Sequence, residues 1–347
     1  MRTPEKILII RLSSLGDILH ALPALGCLRS SFPTARIDWL VEKRNSFLLS
    51  AVGGIDEVIV LDTSLLRKSP WIPAAWGPAR ELIAFLRARE YDACIDFQGL
   101  LKTGLLAALS GARTRIGFPG KLVREWPAHW FYQQTPGPPP GETHVVELNQ
   151  LLARSAGADP ASPMVEFKVP PQDDSYVRSL LKAEGLEDFV VINPGGGWPT
   201  KRWAPGRYGR LAARILNELG LPVIVTTGPG EEALFAEISS VEGTNGIRHF
   251  QLSFLQLIPF LRKARLLIGG DTGPFHLACA LGTSVVGIFG PTSPVRNGPW
   301  RVGEQSVFHQ LPCSFCNGRT CPTQIECMQI TVEEVFDAVV KRITRNQ

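Results

Sequence analysis

KILIIRLSSLGDILHALPALGCLRSSFPTARIDWLV, from Lys6 to Val41, passes from a short apolar run through a polar turn into a helical period and out into a second apolar run. Short apolar runs alternating with longer periodic segments predict parallel strands joined by crossover helices, because a connection between parallel strands must cross the sheet. The alternation continues outward. EVIVLD, DACIDF and TRIGF read as strands, with helices through ARELIAFLRARE and LLKTGLLAALSG between them. Prolines and glycines break the pattern at QQTPGPPPGETH and again near VPPQDD, leaving VVELNQLLARSAG as one helix between the breaks.

From FVVINPGGG the alternation restarts. Strands are expected at PVIVTTG, IRHFQ, RLLIGG and SVVGIFG, and helices through RYGRLAARILNELG, after PGEE, through FLQLIPFLRKA and after GGDTG. The final segment, TVEEVFDAVVKRI, has helical spacing with Thr331 and Glu334 placed as a capping box. The expected organisation is an α/β chain of two doubly wound domains, 1–170 and 171–330, facing a central cleft. A terminal helix in 331–347 is expected to pack back on the first domain. Open parallel sheets bind ligands at the carboxyl ends of their strands, so the strand exits are where function is to be sought.

Composition narrows the class. With 347 residues, 44% hydrophobic and 20% charged, the chain can bury a sizeable core. No apolar stretch approaches the roughly 20 residues needed to cross a bilayer, and Arg11 breaks the first apolar run, so neither a span nor a signal peptide is expected and the address reads as cytoplasmic. The net charge of +4 and the lack of a run of like charges give no reason to expect nucleic acid. Between Thr63 and Trp130, however, ten Lys/Arg stand against five Asp/Glu, interleaved with Trp71, Trp76, Trp126 and Trp130. That mixture suits an anionic amphiphile or a membrane surface; it also suits a solvated basic face over core tryptophans.

Three turns carry chemistry. In RLSSLGDILH a strand exit runs through Ser14 and Gly16 into a helix expected to begin at Asp17, a carboxylate placed beside the cleft that would also serve as a helix cap. The turn lacks G-x-G-x-x-G, so a dinucleotide cofactor is not expected. In NPGGGWPTKRWAP, Gly196 and Gly197 let a ligand approach the backbone, and Lys201 supplies positive charge for a phosphate; the loop is not a Walker A motif. In GGDTGPFHLACALGT, Thr272 or Gly273 caps a helix with Pro274 at its first position, which makes an anion site of the helix terminus. There His276 is able to donate to a phosphate, or to sit satisfied in the core, and Asp271 to accept from sugar hydroxyls or from the helix. Glu231, after TTGPG, suits a ribose or merely complements a helix dipole.

No Asp-x-Asp occurs, so no metal-bridged diphosphate is expected and no metal is assigned to catalysis. Cys313, Cys316, Cys321 and Cys327 have spacing that would close a structural zinc site, with reduced thiols packed in a loop as the rival reading. Cys27, Cys94 and Cys279 stand alone in apolar patterns and read as core.

Taken together, KILIIRLSSLGDILHALPAL, YDACIDFQGLLKTGLLA, NPGGGWPTKRW and GGDTGPFHLACALGTSVVGIFGPTSP resemble the ADP-heptose:lipopolysaccharide heptosyltransferases, inverting glycosyltransferases of GT-B fold. The likeness spans most of the chain, and GFPGKLVREWPAHWFYQ leans toward the heptosyltransferase I branch, which adds the first heptose. It implies Asp17 as general base, and Lys201 with Asp271, Thr272, Gly273 and His276 on the sugar nucleotide. Glu231 falls near the adenosine ribose. The implied donor is ADP-heptose, with no cofactor required. The implied acceptor is Kdo on lipid A, held in the amino-terminal domain, with Ser14, Gly16, Arg67, Lys68, Lys102, Arg124 and His144 as candidates and with peripheral contact at the inner membrane. This chain departs from some members in carrying GGG where they have threonines, and in its cysteines.

The rival readings are a heptosyltransferase II-type acceptor, a nucleotide-sugar epimerase on the same architecture, and a sugar-nucleotide-binding protein without turnover.

Overall fold

The run at Lys6–Ile10 forms β1, in which Ile7 through Ile10 are wholly buried, as a strand covered on both faces must be. In the computed structural model, which describes residues 3–63, 77–137, 139, 141–159, 165–300 and 303–344, this strand lies at the middle of a parallel sheet. Its neighbours are β2 (Arg36–Glu42) and β4 (Ala93–Asp96), with β3 (Glu57–Leu61) and β5 (Thr114–Ile116) at the edges, giving the order β3-β2-β1-β4-β5. Helices α1 (Leu15–Ser31), α2 (Gly77–Ala88) and α3 (Leu101–Leu109) belong to the connections, and α4 (Val145–Ser155) packs along α1. Between β1 and β4 the direction of winding reverses. The register Ile10↔Asp96 brings the exits of those two strands side by side, so the turn after β1 and the turn after β4 meet.

The second sheet repeats the plan. β6 (Val190–Asn193) is flanked by β7 (Val223–Thr226) and β9 (Leu266–Gly270), with β8 (Arg248–Phe250) on one side and β10 (Val285–Phe289) then β11 (Gln305–Phe308) on the other. All pairs are parallel, and the order β11-β10-β9-β6-β7-β8 again reverses between its first strand and its fourth. The helices are α5 (Pro171–Ala183), α6 (Pro205–Leu219), α7 (Glu232–Ser239), α8 (Phe254–Lys263) and α9 (Gly273–Leu281). Asn193 pairs with Gly269, and a side chain on Gly269 would stand 2.9 Å from the Asn193 carbonyl, so the glycine is what lets these two strand exits close up.

The chain divides into two units, Met1–Lys168 and Val169–Gln347. The carboxy-terminal helix α10 (Val332–Thr344), expected to pack back on the first domain, instead packs on α6, β10 and β11 of the second unit. Its apolar stripe explains this: Val335, Phe336, Val339 and Ile343 join the core of that unit, and Arg342 closes on Glu304 at 2.7 Å. Its start has the expected box, with the Thr331 amide and hydroxyl both donating to Glu334 at 2.8 Å. No helix among the described residues is long and apolar enough to cross a membrane.

Candidate active site

At the first switch point, helix α1 begins at Leu15 with Ser14 as its cap, so Asp17 occupies the third helical position rather than the cap itself. The Ser14 amide and hydroxyl donate to Asp17 Oδ2 at 3.1 and 2.9 Å. The other oxygen, Oδ1, takes two guanidiniums: Arg11 at 2.8 Å from the end of β1 and Arg124 at 2.9 Å. Burial by itself would push the Asp17 carboxyl up, but Arg11 and Arg124, with the Ser14 amide, outweigh it and hold the group well below the usual carboxylate range.

The two arginines differ. Arg11 is buried, with Nη1 bound to the Phe97 carbonyl, whereas Arg124 is 48% exposed against 17% for Asp17. Behind them Asp96 is sealed in. It accepts from the Gln98 and Gly99 amides at 2.8 and 3.3 Å and from the Tyr132 hydroxyl at 2.6 Å, which pins the turn after β4.

At the second switch point Asp271, 9% exposed, is gripped on both oxygens: Lys201 Nζ lies 2.6 Å from Oδ2 and His276 Nε2 lies 2.7 Å from Oδ1. Burial again acts upward on the acid, and His276 and Lys201 again overcome it. Lys201 also lies 4.0 Å over the Trp198 ring. Thr272 caps α9, accepting from the Phe275 amide and donating to Asn193 Oδ1 at 3.2 Å, and Gly273 opens the helix.

The glycine-rich turn lies beside this cluster. Gly195 lets the Glu231 carboxylate close on the turn, since a side chain on it would stand 2.6 Å from that carboxylate. Arg202 donates to the Gly196 carbonyl at 3.0 Å and stands 3.7 Å from Glu231, whose other oxygen accepts from the Gly228 amide at 2.9 Å. Gly197 has open space where a side chain would be.

Some expected residues have other work. Asp271, expected to meet sugar hydroxyls or its own helix, is held by His276 of that helix and by Lys201. His276, expected either to donate to a phosphate or to sit satisfied in the core, is buried with Nε2 on that acid. His144 is buried as the cap of α4, its Nδ1 accepting from the Val146 amide at 3.1 Å, with His20 edge-on at 5.8 Å. Lys102 lies 3.1 Å from Glu42 at the end of β2. Arg67 and Lys68 fall outside the described residues.

The cysteine loop does not fit a tetrahedral zinc. No three or more His, Cys, Asp or Glu among the described residues are gathered to hold a metal ion; Cys327 is buried against Gly290, and Cys313 and Cys316 are exposed. The loop braces the glycine-rich turn instead, with the Thr200 hydroxyl donating to the Gly318 carbonyl at 2.7 Å.

Each of the two units thus carries, at a strand exit of its own sheet, an acid held by basic side chains, which is where an α/β sheet binds polar ligands. Residues 79–326, well over half of the chain, match glycosyltransferase family 9 (heptosyltransferase). The chain belongs to this family. It is a glycosyltransferase. It is 29% identical over 322 residues to lipopolysaccharide heptosyltransferase 1 of Pseudomonas aeruginosa, covering 92% of this chain and 88% of that one. It is 25% identical over 304 residues to the lipopolysaccharide core heptosyltransferase OpsX of Haemophilus influenzae, covering 86% and 82%. Among solved structures it resembles E. coli heptosyltransferase WaaC with ADP at a TM-score of 0.75 and 23% identity, over 97% and 99% of the chains. These structural likenesses establish the GT-B fold.

Reading the sequence passed over Arg11, the inner partner of Asp17. The signal was present: an arginine closing an otherwise apolar strand must find a counter-charge when buried. Asp96 and Tyr132 carried no such signal, because only the strand order brings them together.

Proposed function

We propose that this heptosyltransferase moves L-glycero-D-manno-heptose from ADP-heptose to the Kdo of the lipopolysaccharide inner core, inverting the anomeric centre. A Kdo hydroxyl attacks the anomeric carbon from the face opposite ADP. The new bond is Kdo oxygen to heptose, the bond that breaks joins heptose to the diphosphate, and the hydroxyl proton goes to Asp17.

The observation that carries this reading is the Asp17 carboxylate, held deprotonated at the exit of the central strand by Arg11 and Arg124. So depressed an acid is a weak base, so the proton moves late, when the attacking oxygen has turned acidic in an oxocarbenium-like transition state. A cation that is half exposed has a second use. Arg124 is suited to leave Asp17 for an anionic group of the acceptor, which returns basicity to the carboxylate as the acceptor arrives. Ser14 and Gly16 line the same turn, and Lys102 adds charge at the neighbouring exit.

On the donor, the departing diphosphate is met by the amide end of α9 at Gly273, by Lys201 and by the open backbone at Gly196 and Gly197. Asp271 and His276 hold Lys201 and the turn in place. Glu231, with Arg202, lies beside this turn and is assigned to the adenosine ribose. The acceptor is a lipid, so the reaction belongs at the cytoplasmic face of the inner membrane.

The test is incubation of the purified protein with ADP-heptose and Kdo-lipid A, followed by mass spectrometry. One added heptose is expected. Addition only to an acceptor that already carries heptose would make it the second transferase of the series, and ADP-heptose binding without transfer would make it a binding protein.

A further inference from the structure

The two most exposed large apolar side chains among the described residues are Trp130 at 64% and Trp126 at 59%, and they lie together, ring centroids 4.7 Å apart. They stand on the 3₁₀ turn Trp126–Phe131, which packs on α3, where Leu101 and Leu105 are exposed one helical turn apart. This ledge is rigid. Ala128 beneath it is fully buried, Gly104 of α3 lets the two elements touch, with a side chain there only 3.0 Å from the Ala128 carbonyl, and Arg115 Nε donates to the Phe131 carbonyl at 2.8 Å. The indoles are therefore held out in water by a firm base, which gains the fold nothing and marks a surface that something covers.

The surroundings say what covers it. Lys121 is exposed next to Gly120, where a side chain would stand 3.5 Å from His129 of the turn, and Lys102 is exposed beside Leu101 and reaches Glu42 at 3.1 Å; Glu125 accepts from the Leu101 amide at 2.7 Å. Paired tryptophans and leucines flanked by cations are the side chains that settle at the boundary between headgroups and acyl chains of an anionic bilayer. The ledge is also continuous with the Asp17 site, since Arg124, on that acid, is two residues before Trp126.

We propose that Trp126, Trp130, Leu101 and Leu105 form a docking surface for the anionic lipid leaflet, seating the enzyme where its lipid acceptor is held. The proposal rests on the lipid-acceptor reading for its purpose, but the binding itself needs no acceptor.

The test uses the full chain and vesicles of phosphatidylethanolamine and phosphatidylglycerol containing no acceptor. Co-sedimentation of the wild type is expected, and Trp126→Ser/Trp130→Ser should lower the partition coefficient about tenfold or more, while Trp126→Leu/Trp130→Leu retains most of it. Unchanged near-ultraviolet circular dichroism and melting midpoint serve as the folding control. With Kdo-lipid A in the vesicles, kcat/KM of the serine variant should fall by a similar factor; with a deacylated, water-soluble acceptor it should equal wild type. Equal partitioning of wild type and serine variant, no wild-type binding, or a loss confined to self-association of the protein would overturn the proposal. Tryptophan-dependent vesicle binding with no heptose transfer to either acceptor would keep the docking surface and remove the lipid-acceptor reading.

Discussion

Asp17 and Asp271 are built alike and placed alike. Each follows a central strand of a parallel sheet, and each has two basic side chains on it, both on a single oxygen at Asp17 and one on each oxygen at Asp271. They differ in who holds them. Asp271 has two partners about as buried as itself, Lys201 and His276, so the cluster is closed around the acid. One partner of Asp17 is a half-exposed arginine, which a ligand can take away. An acid held by two basic side chains is braced in one sheet and exchangeable in the other, and exposure is what separates them.

The sharpest way to break this contrast is Asp17→Asn. If Asp17 takes the proton, turnover should fall by roughly 10²–10⁴ while ADP affinity, followed by calorimetry, stays put. Near-normal turnover would return Asp17 to a purely capping role, since Asn keeps the shape and part of the hydrogen bonding to Ser14.

Next comes Lys201→Ala, which leaves a buried carboxylate with one partner. Stability should drop by about 3–5 kcal/mol by chemical denaturation, and donor affinity should fall with it. Stability loss without a change in ADP affinity would confine Lys201 to bracing Asp271.

Arg124→Ala should cost less than about 1 kcal/mol of stability, because the side chain is half in water. Its effect belongs on the reaction: kcat/KM for the acceptor should fall roughly 10- to 100-fold, and the acid limb of the pH profile should move upward, because Asp17 loses one of the cations that depress it. A fixed acid limb would mean that Arg124 does not set the basicity of Asp17.

Protonation tests the closed cluster. The folded-state pKa of Asp271 is lowered, so its stabilisation is present above the ordinary aspartate value of about 3.9 and is lost as pH falls below it. Between pH 5 and 3 the urea midpoint of the wild type should fall more steeply than that of Asp271→Asn; parallel curves would mean that the pair contributes nothing.

The smallest effect on the reaction is expected at His144→Ala. A lost helix cap costs about 0.5–2 kcal/mol, with the acceptor KM unchanged; a raised KM would restore His144 to the acceptor site.

Much of this was legible in the chain itself. The alternation of apolar runs and helical periods predicts both parallel sheets, because strands buried on two faces leave unbroken Ile, Leu and Val runs that few other structures need. Each chemically loaded turn, RLSSLGD, NPGGG and GGDTG, directly follows such a run, so its place at a strand exit could be read locally. Partnership could not. Arg124 lies 107 residues from Asp17 and Lys201 lies 70 from Asp271, and only the reversal of strand order at each switch point makes them neighbours. His144 is an acceptor candidate through the family resemblance alone, and a histidine beside a proline-rich break gives no sign that it caps a helix. The terminal helix followed the same rule: its amphipathic stripe predicted a packed helix, but the surface that received it was decided by where an apolar face lay open in three dimensions. Local pattern fixes what a segment becomes, since backbone geometry and burial act over a few residues. Which charges neutralise one another depends on distances that no linear spacing contains.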